Sequence, residues 1–283
     1  MSMRQSKMRM DRGAWIAEFV LSFFLAFPEA HGQAALERAV DKFVADVTGG
    51  DLGSHDHPMA RWREPICPVV AGLSRAEGQM LFDRFVDVLA SVDARVDASG
   101  CRANLFIVVT AHPEADLRSW RRRDVHVFGD LRGTDEFIGT PRPVRIWYNA
   151  SLVDADGRAA STFGGTLRGI PSYRIDAVPH REFDVVPELS SVIAVVDSRR
   201  MAGLDWRQVA DYIAMAGLTD MKLDADVGDV PSILRLFTAA AGARPLRLTA
   251  WDRAFIKELY LADPVDRHQR LEMAKRMYHD LAR

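Results

Sequence analysis

Two stretches of this chain constrain its fold more than any others. Residues 104–110 read Asn-Leu-Phe-Ile-Val-Val-Thr, and residues 191–196 read Ser-Val-Ile-Ala-Val-Val. Both have the length of a strand, are rich in β-branched side chains, and are apolar without alternation. A strand with no polar side must be covered on both faces, so these runs predict the interior of a sheet with helices on either side. Residues 66–73 form a further β-rich run. Val144, Ile146 and Tyr148 alternate with Arg145, Trp147 and Asn149, the period of a strand with one exposed face.

Helix starts are marked between these runs. Ser74 and Glu77 form a capping box ahead of Leu81, Phe85, Leu89 and Val92 at helical spacing. Residues 33–47 place Leu36, Val40, Phe43, Val44 and Val47 on one helical face, and residues 115–123 form another short helix. Asp205 with Gln208 predicts a helix over 206–217, Pro231 one reaching Phe237, and Thr249 with Asp252 one carrying Trp251, Phe255 and Leu259. A last helix covers 265–281. Strands and helices alternate first, and helices collect at the end. The expected class is α+β (mixed α/β), a central sheet with flanking helices and a helical C-terminal third.

The first 32 residues have the layout of a secretory signal. Arg4, Lys7, Arg9 and Arg12 precede a mostly apolar run over 14–27, and Ala30 and Gly32 are small residues placed for cleavage after Gly32. The run is too short for a transmembrane helix, which needs about 20 residues. Glu18 inside it leaves an alternative, an uncleaved segment anchoring the chain at the inner membrane. The expected organisation is a signal peptide over 1–32, a short helix and Gly-rich linker over 33–60, and a single domain over 61–283. The expected location is the periplasm, with no membrane span after cleavage. A net charge of −2 gives no electrostatic pull toward nucleic acid or anionic lipid.

The chain has two cysteines, Cys67 and Cys101. In an oxidising compartment two cysteines suggest one bridge. Each adjoins a strand-like run, and neighbouring strands lie about 5 Å apart, within disulfide reach. Two unpaired buried thiols are the alternative.

One segment bears on chemistry. Residues 210–218 read Ala-Asp-Tyr-Ile-Ala-Met-Ala-Gly-Leu; Pro231-Ser232-Ile233-Leu234 and Leu248-Thr249-Ala250-Trp251-Asp252 follow. This layout, over about 190–262, resembles the zincin metallopeptidases. There a His-Glu-x-x-His helix ending in Gly-Leu precedes a Pro-Ser-Ile segment and a Leu-Thr-x-x-Asp helix start. Two His at i and i+4 share a helix face and hold zinc, and the Glu activates water. Carried onto this sequence, the His positions fall on Ala210 and Ala214, the Glu on Asp211 and the third ligand on Asp220. Methyl groups cannot bind zinc, so the resemblance implies a degenerate, non-proteolytic scaffold. The plainer reading is an amphipathic helix with Val209, Ile213 and Ala216 inward and Asp211 solvated.

Arg61-Trp62, Pro65-Ile66-Cys67-Pro68, Cys101, Asn104-Leu105, Trp147-Tyr148-Asn149 and Ala210-Asp211-Tyr212 together resemble a family of uncharacterised exported proteins from alphaproteobacteria. That resemblance agrees with export and with a disulfide, and it implies no activity.

Weaker signals remain. His55-Asp56-His57 lies in the Gly-rich linker, where metal-capable side chains are usually solvated. Arg118, Arg121, Arg122 and Arg123 read as a solvated helix face. Gly164-Gly165-Thr166 lacks the Lys of a phosphate loop and reads as a turn. Trp147, Tyr148 and Asn149 are candidates to line a cleft. No cofactor motif and no complete metal site is expected. Two readings follow: a non-catalytic envelope protein that binds a protein or peptide, or a periplasmic hydrolase whose site joins Asp211 to Asp220 or to a histidine such as His180.

Overall fold

The computed structural model describes residues 27–49, 58–92, 94–96, 100–129, 133–153, 186–264, 266 and 268–283. The part of the expected signal peptide before residue 27, His55-Asp56-His57, the glycine-rich stretch from 154 and His180 lie outside the described residues. The fold is α+β: seven α-helices and a four-stranded mixed sheet among the described residues.

The sheet comprises β1 (Pro68–Ala71), β2 (Leu105–Thr110), β3 (Val144–Val153) and β4 (Val186–Asp197), in the order β1-β2-β4-β3. β1, β2 and β4 run parallel, and β3 is antiparallel to β4. The two apolar runs are the adjacent central strands β2 and β4; residues 192–197 of β4 are buried throughout, but the expected cover on both faces of β2 needs correction, since Phe106, Val108 and Thr110 are only partly buried. The β3–β4 register shifts after Asn149, which pairs with Ser191, while Ala150 pairs with Leu189; Ser190 is the extra residue. At the end of β1, Gly72 has φ +89°, and a Cβ there would sit 1.9 Å from the Val109 carbonyl oxygen, so glycine is required.

One sheet face carries α2 (Arg75–Ala90) and α5 (Trp206–Gly217). Leu105, Ile107 and Val109 point into this main core with Leu81, Phe85 and Leu89 of α2. α6 (Ala250–Leu261), α7 (Gln269–Leu281) and α1 (Phe27–Thr48) complete it: Phe43 of α1 meets Trp251 and Phe255 of α6 edge-on, at centroid distances of 5.6 and 5.9 Å. The buried side chains described on α1 are Val40, Phe43, Val44 and Val47, all beyond Gly32. Among the described residues no helix is long and apolar enough to cross a membrane.

The other face carries α3 (Pro113–Arg123) and α4 (Thr134–Gly139). Leu117, Phe128 and Ile138 cover Trp147, Ile193 and Val195. This small core corrects the expectation of an exposed face on β3. Residues 144–147 are buried on both sides, because α3, α4 and the turn Val125–Phe128 lie over one end of the strand. Further along, no described helix covers the same sheet face.

Helix boundaries follow the caps. Ser74 and Glu77, Asp205 and Gln208, and Thr249 and Asp252 each form the reciprocal capping box. Two expectations need correction. The segment after Pro231 forms a 3-10 helix, Ile233–Phe237, with Ser232 as its cap, and the last helix starts at Gln269 rather than 265.

Candidate functional site

α5 is not amphipathic in place: residues 208–217 are all buried. A helix enclosed on every side has nowhere to solvate its last carbonyls, so side chains must take them. Tyr148 donates its hydroxyl to the Ala216 carbonyl (2.6 Å), Trp62 Nε1 donates to Gly217 (2.8 Å), and Tyr260 donates to Leu218 (2.9 Å). A Cβ on Gly217 would lie 3.4 Å from Leu105 Cδ1, so the helix end seats closely on β2.

Asp211 is buried within this helix, not solvated as the amphipathic reading expected. Arg84 on α2 grips its carboxylate with both arms, Nε to Oδ1 at 2.6 Å and Nη2 to Oδ2 at 2.8 Å. The Leu248 backbone N–H donates to Oδ2 at 2.7 Å. Such a planar, charge-assisted pair is among the stronger polar contacts a protein makes. Ala210 and Ala214, also buried, pack in the main core. Asp220 lies beyond the far end of the helix, its N–H toward the Ala60 carbonyl (3.4 Å), and does not join Asp211.

The motif letters after α5 form joints of the same kind. Asp252, buried at the start of α6, accepts from Ser232 Oγ at 2.6 Å, Ile233 N at 2.9 Å and Thr249 N at 2.8 Å. Burial pushes its pKa up, against those hydrogen bonds, which favour the charged form. Leu248, Thr249, Ser232 and Asp252 thus clamp the 3-10 turn, α5 and α6 together. Arg61 Nη1 donates to the carbonyls of Leu259, Tyr260 and Ala262 and closes the C-terminal end of α6. Among the described residues no group of three or more His, Cys, Asp or Glu converges as metal ligands would.

The open part of the other sheet face forms a cleft of about 1240 Å³. Its apolar lining includes Phe106, Val108, Trp120, Val127 and Ile193. Cys67 and Cys101 stand at its edge, bonded at S–S 1.95 Å with Cα atoms 6.0 Å apart. Beside them Asn104 accepts from Cys67 N at 2.7 Å and donates to the Pro65 carbonyl at 3.0 Å, fixing the chain as it enters β1. Of the three candidate cleft residues on β3, Asn149 alone lines it. Its amide donates to the Val127 carbonyl (3.0 Å) and Ser191 Oγ (2.8 Å) and accepts from Trp147 Nε1 (3.0 Å). Trp147 is buried among Phe128 and Phe137, and Tyr148 points through to α5.

The charged residues around the cleft are Arg63, Glu64, Arg102, Asp124 and Glu188, with His126 beside them. Burial is the main influence on Glu188 and raises its pKa; Arg63 lowers it and Glu64 raises it. Ligands of open α/β sheets usually sit at the carboxyl ends of the strands. Here the polar side chains at those ends pair with one another: Asp197 is held by Arg199 at 2.8–2.9 Å, and Thr110 donates to Asp116 at 2.6 Å. The cleft lies instead toward the start of β2, beside Asn104. It draws on several separated segments, so no local motif announced it. The arginine cluster on α3 is largely paired, Arg118 with Glu114, Arg121 with Asp135 and Arg123 with Ser119.

Comparison with family models, with curated proteins and with solved structures finds no match to this chain.

Proposed function

We propose that this chain is an exported, non-catalytic binding protein of the cell envelope that holds a peptide segment of its partner in the cleft over β2 and β4. The observation that carries the reading is the state of Asp211. In a zincin-like scaffold it occupies the place of the general base, and there a base needs a free lone pair facing substrate. Its oxygens instead accept from Arg84 and Leu248 inside the core. The position that would do chemistry is a strut joining α2, α5 and the start of α6.

Three further features support the reading. The cleft volume of about 1240 Å³ exceeds the 300–1,000 Å³ of ordinary small-molecule pockets, and its apolar floor suits side chains of an extended segment. Both signs of charge line it, which suits a peptide better than a polyanion. A disulfide fits an oxidising compartment, and cleavage after Gly32 leaves the described buried side chains of α1 in place.

The test is selection of random 12-residue peptides on phage against the oxidised chain, repeated with Ser151→Trp, which fills the cleft from β3. The reading expects enriched peptides that bind wild type, lose binding to Ser151→Trp, and stay intact on incubation by mass spectrometry. Peptides that bind both proteins equally, or that are cleaved, overturn it. Export is checked separately by the mature N-terminus, expected at Gln33; intact Met1 in the soluble fraction counts against it.

A further inference from the structure

The cleft also carries information about its occupant. Glu188 stands on β4 opposite Ser151 of β3, at the wall of the cleft. It is half-buried, and among the described residues no hydrogen bond or ion pair reaches its carboxylate; Arg63 and Glu64 act on it only from a distance. A carboxylate drawn out of water without a partner is unfavourable, and a cation arriving with the ligand relieves it.

The neighbouring chemistry points the same way. Glu64 and Asp124 are acidic and exposed on the lining, against Arg63 and Arg102, so acids outnumber bases by one once Glu188 is included. Partly exposed Phe106 and Trp120 offer apolar faces along which the aliphatic stem of a long basic side chain can lie. The other polar side chains near the bulge are already engaged: Asn149 with Val127, Ser191 and Trp147, and Ser190 with the Asn149 carbonyl at 3.1 Å. Glu188 keeps bonding capacity to spare and, unlike the exposed Arg63, Glu64 and Arg102, is drawn partly out of water.

Resting on the peptide-binding reading above, we propose that Glu188 is a specificity residue of the cleft, and that its carboxylate takes the side chain of a Lys or Arg in the bound peptide. The remaining charges set where that residue sits along the peptide, while apolar neighbours in the peptide fill the space over Phe106 and Ile193.

The probe is a synthetic copy of the best phage-selected peptide and its analogue with norleucine in place of the basic residue. On wild type the analogue is expected to bind about tenfold more weakly, about 1.4 kcal/mol. On Glu188→Gln, the parent peptide is expected to fall to the level of the analogue, with the analogue itself unchanged. The norleucine comparison on wild type needs no protein variant, so it stands whatever Glu188→Gln does to folding. Selected peptides without a basic residue, or equal binding of parent and analogue, overturn the Glu188 assignment while leaving the cleft as the binding site. Peptides indifferent to Ser151→Trp overturn the cleft reading itself.

Discussion

Arg84→Met is the most informative single change to this fold. It removes the guanidinium that grips Asp211 and leaves a fully buried carboxylate with one N–H donor, from Leu248. Breaking one side of a buried pair costs about 3–5 kcal/mol. Arg84 is itself a quarter exposed, which weakens the pair in the wild type, so the lower figure, about 3 kcal/mol, is the better expectation. For a domain of this size that is a fall in Tm of about 6–12 °C. Adding Asp211→Asn replaces a stranded charge with a neutral amide that still accepts from Leu248. It is expected to return about 2 kcal/mol, since burying a polar group costs less than burying an unpaired ion. Urea unfolding followed by circular dichroism at pH 7 measures both. A cost below about 1 kcal/mol for Arg84→Met, or no recovery in the double variant, refutes the strut.

Two other expectations follow from the structure. Replacing both Cys67 and Cys101 with serine opens a loop of 34-residue separation and is expected to lower stability by about 3–4 kcal/mol, read by urea denaturation; a change under 1 kcal/mol contradicts the chain-entropy argument. Arg199 beside Asp197 holds that carboxyl below the usual carboxylate range, despite opposing burial. Its contribution is therefore present above about pH 3.9 and lost as pH falls through the lower folded value, so Asp197→Asn should flatten the acid limb of a stability–pH profile; an unchanged limb argues against the assignment.

The parts of the fold that the sequence made legible are those whose causes are local. Ser74 with Glu77, Asp205 with Gln208, and Thr249 with Asp252 are caps made within four residues, and each stands where its spacing predicts it. The unbroken apolar runs became the two central strands, and residues 192–197 of β4 are buried throughout; on β2 the run misled in part, because the cleft leaves Phe106 and Val108 only partly covered. Asp211 shows what was hidden. Its partner lies 127 residues away on α2, so periodicity placed it on a solvated face, whereas the structure encloses it. Trp147 and Tyr148 were similarly opaque: alternation said they face opposite ways, but not that helices cover both sides. The cleft was unreadable because it is the sheet surface left over once α3 and α4 have covered one end. Gln269, which opens α7, accepts from the Met59 N–H at 2.9 Å, a long-range bond of the same unreadable kind.

Hydrogen–deuterium exchange on the oxidised chain with a selected peptide tests the account most directly. Slowed exchange is expected in residues 102–108 and 188–193 around the cleft, with no change at Leu248 or along α5 and with the peptide recovered whole. Protection centred on Arg84, Asp211 and Leu248, or recovery of peptide fragments, would place the working surface on the helix that this account treats as structural.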